Sequence, residues 1–157
     1  KETLTIVSPD MGRVRVADIW SQKLDVPLAI IHKRRDPKVH NQVSVHEIVG
    51  DVEGRVCLLV DDMIDTGRTI VKAAEALKAN GAIGVVVAAT HAIFSDPATE
   101  ILQSEFIDEV VVTDTLPLAA DKQWDRLTIL PIAPLLARAI REVFDDGSVT
   151  NMFDGDA

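Results

Sequence analysis

The sequence predicts an open, mostly parallel α/β sheet with helices on both faces. Three observations carry that prediction. Strand-like apolar runs alternate with segments of helical spacing along the chain. Several of those runs are apolar throughout, as strands buried on both faces must be. The run Val56-Cys57-Leu58-Leu59-Val60 then ends in Asp61-Asp62, and Asp65-Thr66-Gly67-Arg68-Thr69 opens an amphipathic helix. In such sheets ligands bind beyond the carboxyl ends of the strands.

Taken in order, residues 3–7 read as a buried strand and Ser8-Pro9-Asp10-Met11-Gly12 as a turn. Val14 to Leu24 has helical spacing, with Val14, Ala17, Trp20 and Leu24 on one side. Pro27 to Ile31 is a second strand ending at Lys33-Arg34-Arg35, and residues 36–46 show no period and read as a loop. A short strand over 46–50 is expected to form a hairpin, through Asp51-Val52-Glu53-Gly54, into the strand 56–60. The next helix runs from about Gly67 to Asn80, with Ile70, Ala73, Ala74 and Leu77 inward and Asn80-Gly81 as its stop. Strands follow at 83–89, 109–112 and 127–130, with a helix over 97–103 between the first two. Pro131 or Pro134 opens a final helix through Leu135, Leu136, Ile140 and Val143, which Asp145-Asp146-Gly147 ends. The acidic stretch from Asp145 to Asp156 reads as a solvated tail.

The 157 residues match one domain, 1–157, with 47% hydrophobic and 26% charged residues, enough for a substantial core. The apolar runs are too short to span a bilayer, and the first residues do not read as a secretion signal. Cys57 is the only cysteine, so a disulfide framework and a cysteine zinc site are excluded, and a cytoplasmic location is expected. A net charge of −9 argues against a nucleic-acid or membrane-surface partner. The basic cluster at Lys33-Arg34-Arg35 suits a small polyanion. The abrupt opening on a strand suggests one half of a larger protein.

The acidic turn carries the chemistry. Free amides at a helix start, backed by roughly half a positive charge of macrodipole, bind anions. Gly67 lets a phosphate approach the backbone, and Thr66 and Thr69 supply hydroxyls. Asp61 and Asp62 can accept from sugar hydroxyls or hold a metal through water, with Asp65 a third carboxylate nearby. The simpler reading makes Asp65 or Thr66 a helix cap and the acids turn residues. Two rival motifs fail on context. A P-loop enzyme needs Gly-x-x-x-x-Gly-Lys-Ser/Thr, which is absent. The acid-acid-x-x-acid motif of prenyl-transferring enzymes belongs to an all-helical fold, whereas here it follows a strand.

At these residues the chain resembles proteins of the phosphoribosyltransferase fold, and further segments narrow the resemblance to the ribose-phosphate pyrophosphokinase family. They are Val7-Ser8-Pro9-Asp10 with Gly12, Ile30-Ile31-His32-Lys33-Arg34-Arg35, Thr90-His91 with Phe94-Ser95-Asp96-Pro97-Ala98, Thr113-Asp114-Thr115, Pro134-Leu135-Leu136-Ala137, and Ser148-Val149-Thr150 with Phe153. The match covers the C-terminal half of that family's usual chain. It implies transfer of the diphosphate of ATP to the C1 hydroxyl of ribose 5-phosphate, with Mg2+, giving phosphoribosyl pyrophosphate and AMP. It further implies a 5-phosphate loop at Asp65, Thr66, Gly67, Arg68 and Thr69, and ribose and metal contacts at Asp61 and Asp62. Lys33 and Arg35 are implied as cations of a flexible catalytic loop at about 33–46. Asp10 is implied as a ligand of catalytic magnesium, and Ser148 and Thr150 as part of a regulatory phosphate site. The adenine pocket would lie in an N-terminal domain outside this chain, and the full-length protein would be a homo-hexamer. The 157 residues alone would then bind ribose 5-phosphate with little or no turnover.

Arg68, Arg13 and Asp96 depart from the family's usual small residues, which touches fine geometry only. The main alternative is a non-catalytic regulatory relative, against which Lys33, Arg35, Asp61, Asp62 and Asp65 all stand. A phosphoribosyltransferase acting on a base would need a base-binding hood that the sequence lacks. His91 reads as locally hydrogen-bonded, His40 and His46 as too scattered for a metal site, and Trp20 and Trp124 as packing residues.

Overall fold

The computed structural model describes residues 2–34 and 45–153. Among these residues seven strands form one sheet in the order β3-β2-β1-β4-β5-β6-β7. They are β1 (Leu4–Ser8), β2 (Leu28–Arg34), β3 (Val45–Val49), β4 (Val56–Ile64), β5 (Gly84–Ala92), β6 (Glu109–Thr113) and β7 (Leu127–Leu130). All neighbours run parallel except β2 and β3. The α-helices among the described residues are α1 (Val14–Leu24), α2 (Arg68–Ala79), α3 (Ala98–Leu102) and α4 (Ala133–Phe144).

Alternation along the strands sorts the core onto two faces, as the pleat requires. Val7, Cys57, Leu59, Val85 and Val87 join Ile70, Ala73, Ala74 and Leu77 of α2 and Leu102 of α3 in the larger cluster. Ile6 and Val60 face the other way and meet Ala17 of α1. The four inward residues expected of α2 are all buried. In α1 only Ala17 is buried, while Val14 and Leu24 are half-buried. Trp20 is 42% exposed, so it is not the core residue its spacing suggested. Trp124 does pack, its ring 5.9 Å from that of Phe94.

The expected hairpin between residues 46–50 and the strand 56–60 does not form. β3 pairs with β2 instead, with Ile31 opposite Ile48, and β4 lies between β1 and β5. The cause lies in the two strands' sides. Most of β4 is apolar on both faces and needs a central position, whereas β3 carries His46 and Glu47 and tolerates an edge. At Gly50, φ is +120°, and a Cβ there would lie 2.7 Å from the Leu28 carbonyl oxygen. Only glycine lets the chain leave β3 so close to β2. From Asp145 to Ser148 the chain is exposed, as a solvated end requires, and Val149–Phe153 then forms a 3-10 turn; residues 154–156 lie outside the described residues. No described helix is long and apolar enough to cross a membrane.

Candidate active site

Chain order reverses direction in the middle of the sheet, which opens a crevice between β1 and β4. From β1 the chain moves out to β2, and from β4 it moves the other way to β5. The β1–β4 register ends at Val7 opposite Leu59, while β4 continues beside β5 as far as Ile64. Asp61 and Asp62 therefore sit inside the overhanging end of β4 rather than just beyond the strand. Such a switch point is where open α/β sheets bind ligands.

The turn after β4 meets the geometric needs of an anion loop. Gly67 is buried with φ at +73°, and α2 starts at Arg68 with no side chain capping it. A Cβ on Gly67 would lie 3.0 Å from Leu102. The amides of the first turn thus remain free to donate. Thr66 is half-buried, while Asp65, Arg68 and Thr69 are exposed.

One partner of the acids was not read from the sequence. The guanidinium of Arg13 donates to Asp62 Oδ2, and its Nε lies 3.4 Å from Asp61 Oδ1. Arg13 arrives there because Asp10 caps a 3-10 turn over Met11–Arg13, its Oδ1 accepting from the amides of Gly12 at 2.7 Å and Arg13 at 3.1 Å. The signal available was position: Arg13 follows β1, and β1 borders β4 at the switch point.

Burial is the main reason Asp61 is pushed up to about 6. The Asp62 amide, donating at 2.8 Å, and the charge of Arg13 pull the other way. In Asp62 burial also pushes upward, but hydrogen bonds from the Asp61 carboxyl and Arg13 outweigh it and hold the group low. Asp61 is consequently the weaker acid of the pair and Asp62 the stronger.

The other expected site residues are distributed as follows. Lys33 is the penultimate residue of β2, in register with His46, and Arg35 lies outside the described residues, as does most of the segment 33–46. Asp10 spends one oxygen on its cap. Among the described residues no three His, Cys, Asp or Glu side chains gather as a metal cage. Two adjacent carboxylates still fit magnesium, which is usually held by one or two carboxylates plus substrate oxygens and water. Ser148 and Thr150 are exposed at the 3-10 turn that follows α4. His91 is within 2.9 Å of Thr115 Oγ1, in keeping with a locally hydrogen-bonded side chain. An apolar groove on α4, lined by Ala139, Ile140, Val143 and Phe144, includes none of these residues.

Comparison with known proteins decides the family. The phosphoribosyl synthetase-associated domain matches residues 37–154. The chain belongs to that family. Ribose-phosphate pyrophosphokinase of Streptomyces avermitilis is 60% identical over 154 residues, covering 98% of this chain and 48% of its own. The Mycobacterium bovis protein of the same name is 57% identical over 155 residues, again 98% and 48%. The phosphoribosyl synthetase-associated chain thus spans about half the length of these curated relatives. The crystal structure of phosphoribosylpyrophosphate synthetase from Mycobacterium smegmatis superposes with a TM-score of 0.82 at 50% identity, over 92% of this chain and 46% of that one. Orotate phosphoribosyltransferase from Aeropyrum pernix shares the fold alone, with a TM-score of 0.51 at 21% identity over 85% and 63% of the two chains.

Proposed function

We propose that this chain is the ribose 5-phosphate-binding half of a ribose-phosphate pyrophosphokinase. The observation that carries the reading is the acidic pair and the uncapped, glycine-led start of α2 on one side of the switch-point crevice. Asp65 to Thr69 would hold the 5-phosphate, through backbone amides and the Thr66 and Thr69 hydroxyls. Asp61 and Asp62 would accept from the ribose hydroxyls and hold magnesium. That ion, when bound, would neutralise charge on the phosphate oxygens. Asp10 would join it from the other side of the crevice.

The reaction so assigned forms a bond from the sugar's C1 oxygen to the β-phosphorus of ATP. The bond from that phosphorus to the oxygen retained by AMP breaks, and the C1 hydroxyl gives up its proton. Phosphoryl-type transfer of this kind depends on positioning and charge neutralisation. Lys33, near the end of β2, and Arg35, which follows that strand in sequence, are assigned to the transferring phosphates. We assign Ser148 and Thr150 to a regulatory phosphate site.

The rest of the relatives' length supplies the natural cover for α4. Leu135, Leu136, Ile140, Val143 and Phe144 are exposed by 49 to 86% on a single helix. A stripe of that kind is an interaction face. We therefore read residues 1–157 as the C-terminal domain of a two-domain, cytoplasmic, hexameric enzyme, with adenine bound outside this chain. The test is AMP release from ATP and ribose 5-phosphate by a chain carrying both halves. Release that disappears with Arg35→Ala supports the assignment, and release unaffected by it removes Arg35 from the chemistry.

A further inference from the structure

We infer that Arg13 is a tethered counter-cation of the acidic pair, displaced when a divalent cation and sugar hydroxyls claim the same carboxylate oxygens. The inference rests on the proposed ribose and metal role of Asp61 and Asp62, and adds a positioning residue to it.

One guanidinium engages both carboxylates, a terminal nitrogen donating to Asp62 and Nε forming an ion pair with Asp61 at 3.4 Å. The guanidinium thereby ties both carboxylates of β4 to the turn that follows β1, across the switch-point crevice. The backbone of Arg13 is pinned by the Asp10 cap, and a Cβ at the preceding Gly12 would lie 3.2 Å from Asp10 Oδ1. The side chain itself is 38% exposed, so it can swing out without disturbing the core. Arginine stays charged at any working pH, so its competition with an added cation is constant. With both carboxylates ionised it leaves one net negative charge, where a neutral residue would leave two.

Arg13 is therefore expected to oppose cation binding, whereas a residue that merely supported the local structure would favour it. Mn2+ is the probe, followed by the electron-spin resonance of the free ion and by broadening of the Asp62 and Met63 amides. Wild type, Arg13→Met and Arg13→Lys are compared as the 157-residue chain. Arg13→Met should bind Mn2+ about three- to tenfold more tightly than wild type, as expected for removing one nearby partly solvated charge. Arg13→Lys should stay within about twofold, since it restores the charge. Equal or weaker Mn2+ binding by Arg13→Met, in a protein whose amide spectrum remains dispersed, overturns the inference. Ribose 5-phosphate is added to the same samples. If it shifts Thr66, Gly67 and Thr69 in none of the three, the sugar-phosphate reading fails, whatever the Mn2+ ranking.

Discussion

Asp61 and Asp62 are neighbours in the chain yet shift in opposite directions: burial prevails at Asp61, whereas at Asp62 hydrogen bonds from Asp61 and Arg13 outweigh it. Asp61 rises from 3.8 to about 6, so the folded chain keeps a proton there that the unfolded chain has lost. Its contribution to stability is fully present below about pH 4 and is lost as pH rises through 6. Affinity for a sugar hydroxyl should run the other way, rising across the same window as the carboxylate forms. Asp61→Asn separates the two effects. At pH 7.5 its melting temperature should equal or exceed that of wild type. Binding of ribose 5-phosphate should weaken by roughly 10- to 100-fold, the usual worth of a charged hydrogen bond. Calorimetry on both proteins checks the pair of outcomes. At this scale the sequence made the acids, the glycine and the threonines legible, because strand end, carboxylates and helix start are contiguous. Arg13 was not, since its partners lie 48 and 49 residues away.

Elements explain which side chains can reach the crevice. Gly67 combines a left-handed backbone with a Cβ position 3.0 Å from Leu102, so it serves both the turn and the α2–α3 packing. Gly67→Ala should cost about 1–3 kcal/mol of stability, measured as a lower denaturant midpoint with an unchanged slope, together with loss of ribose 5-phosphate binding. The cations proposed at and just after the end of β2 should behave differently. Lys33→Ala or Arg35→Ala should reduce AMP release by about 10²–10³ in a chain with both halves, the cost of losing one transition-state donor. Steady-state kinetics should show the loss in kcat, with little change in the KM for ribose 5-phosphate. Helix periodicity made α2 legible to within a residue or two. The partner of β3 was not, because periodicity places a strand on a face but does not name its neighbour. Short spacing favoured β4, and the two-sided burial of β4 decided otherwise.

The whole chain divides into a closed sheet core and an uncovered helix. β1, β4, β5 and α2 contribute fully buried residues to the core, whereas Leu135, Leu136, Ile140, Val143 and Phe144 of α4 are open to solvent. Ile140→Ser, at a position 69% exposed, should change the stability of the 157-residue chain by no more than about 0.5 kcal/mol. In a chain carrying both halves the same change should cost more, which paired thermal melts would reveal. The fold class was legible because alternating strands and helices with two-sided apolar runs allow few arrangements. The exposure of α4 and of Trp20 was not, since an apolar stripe looks the same whether its cover comes from its own sheet or from elsewhere.

Sugar-phosphate binding at the acidic turn can be followed by an amide-detected NMR titration of the 157-residue chain with ribose 5-phosphate and magnesium. Saturable shifts at Thr66, Gly67 and Thr69, with Asp61 and Asp62 following, are the predicted result. A folded chain whose amides at those positions do not move at millimolar ligand would contradict it.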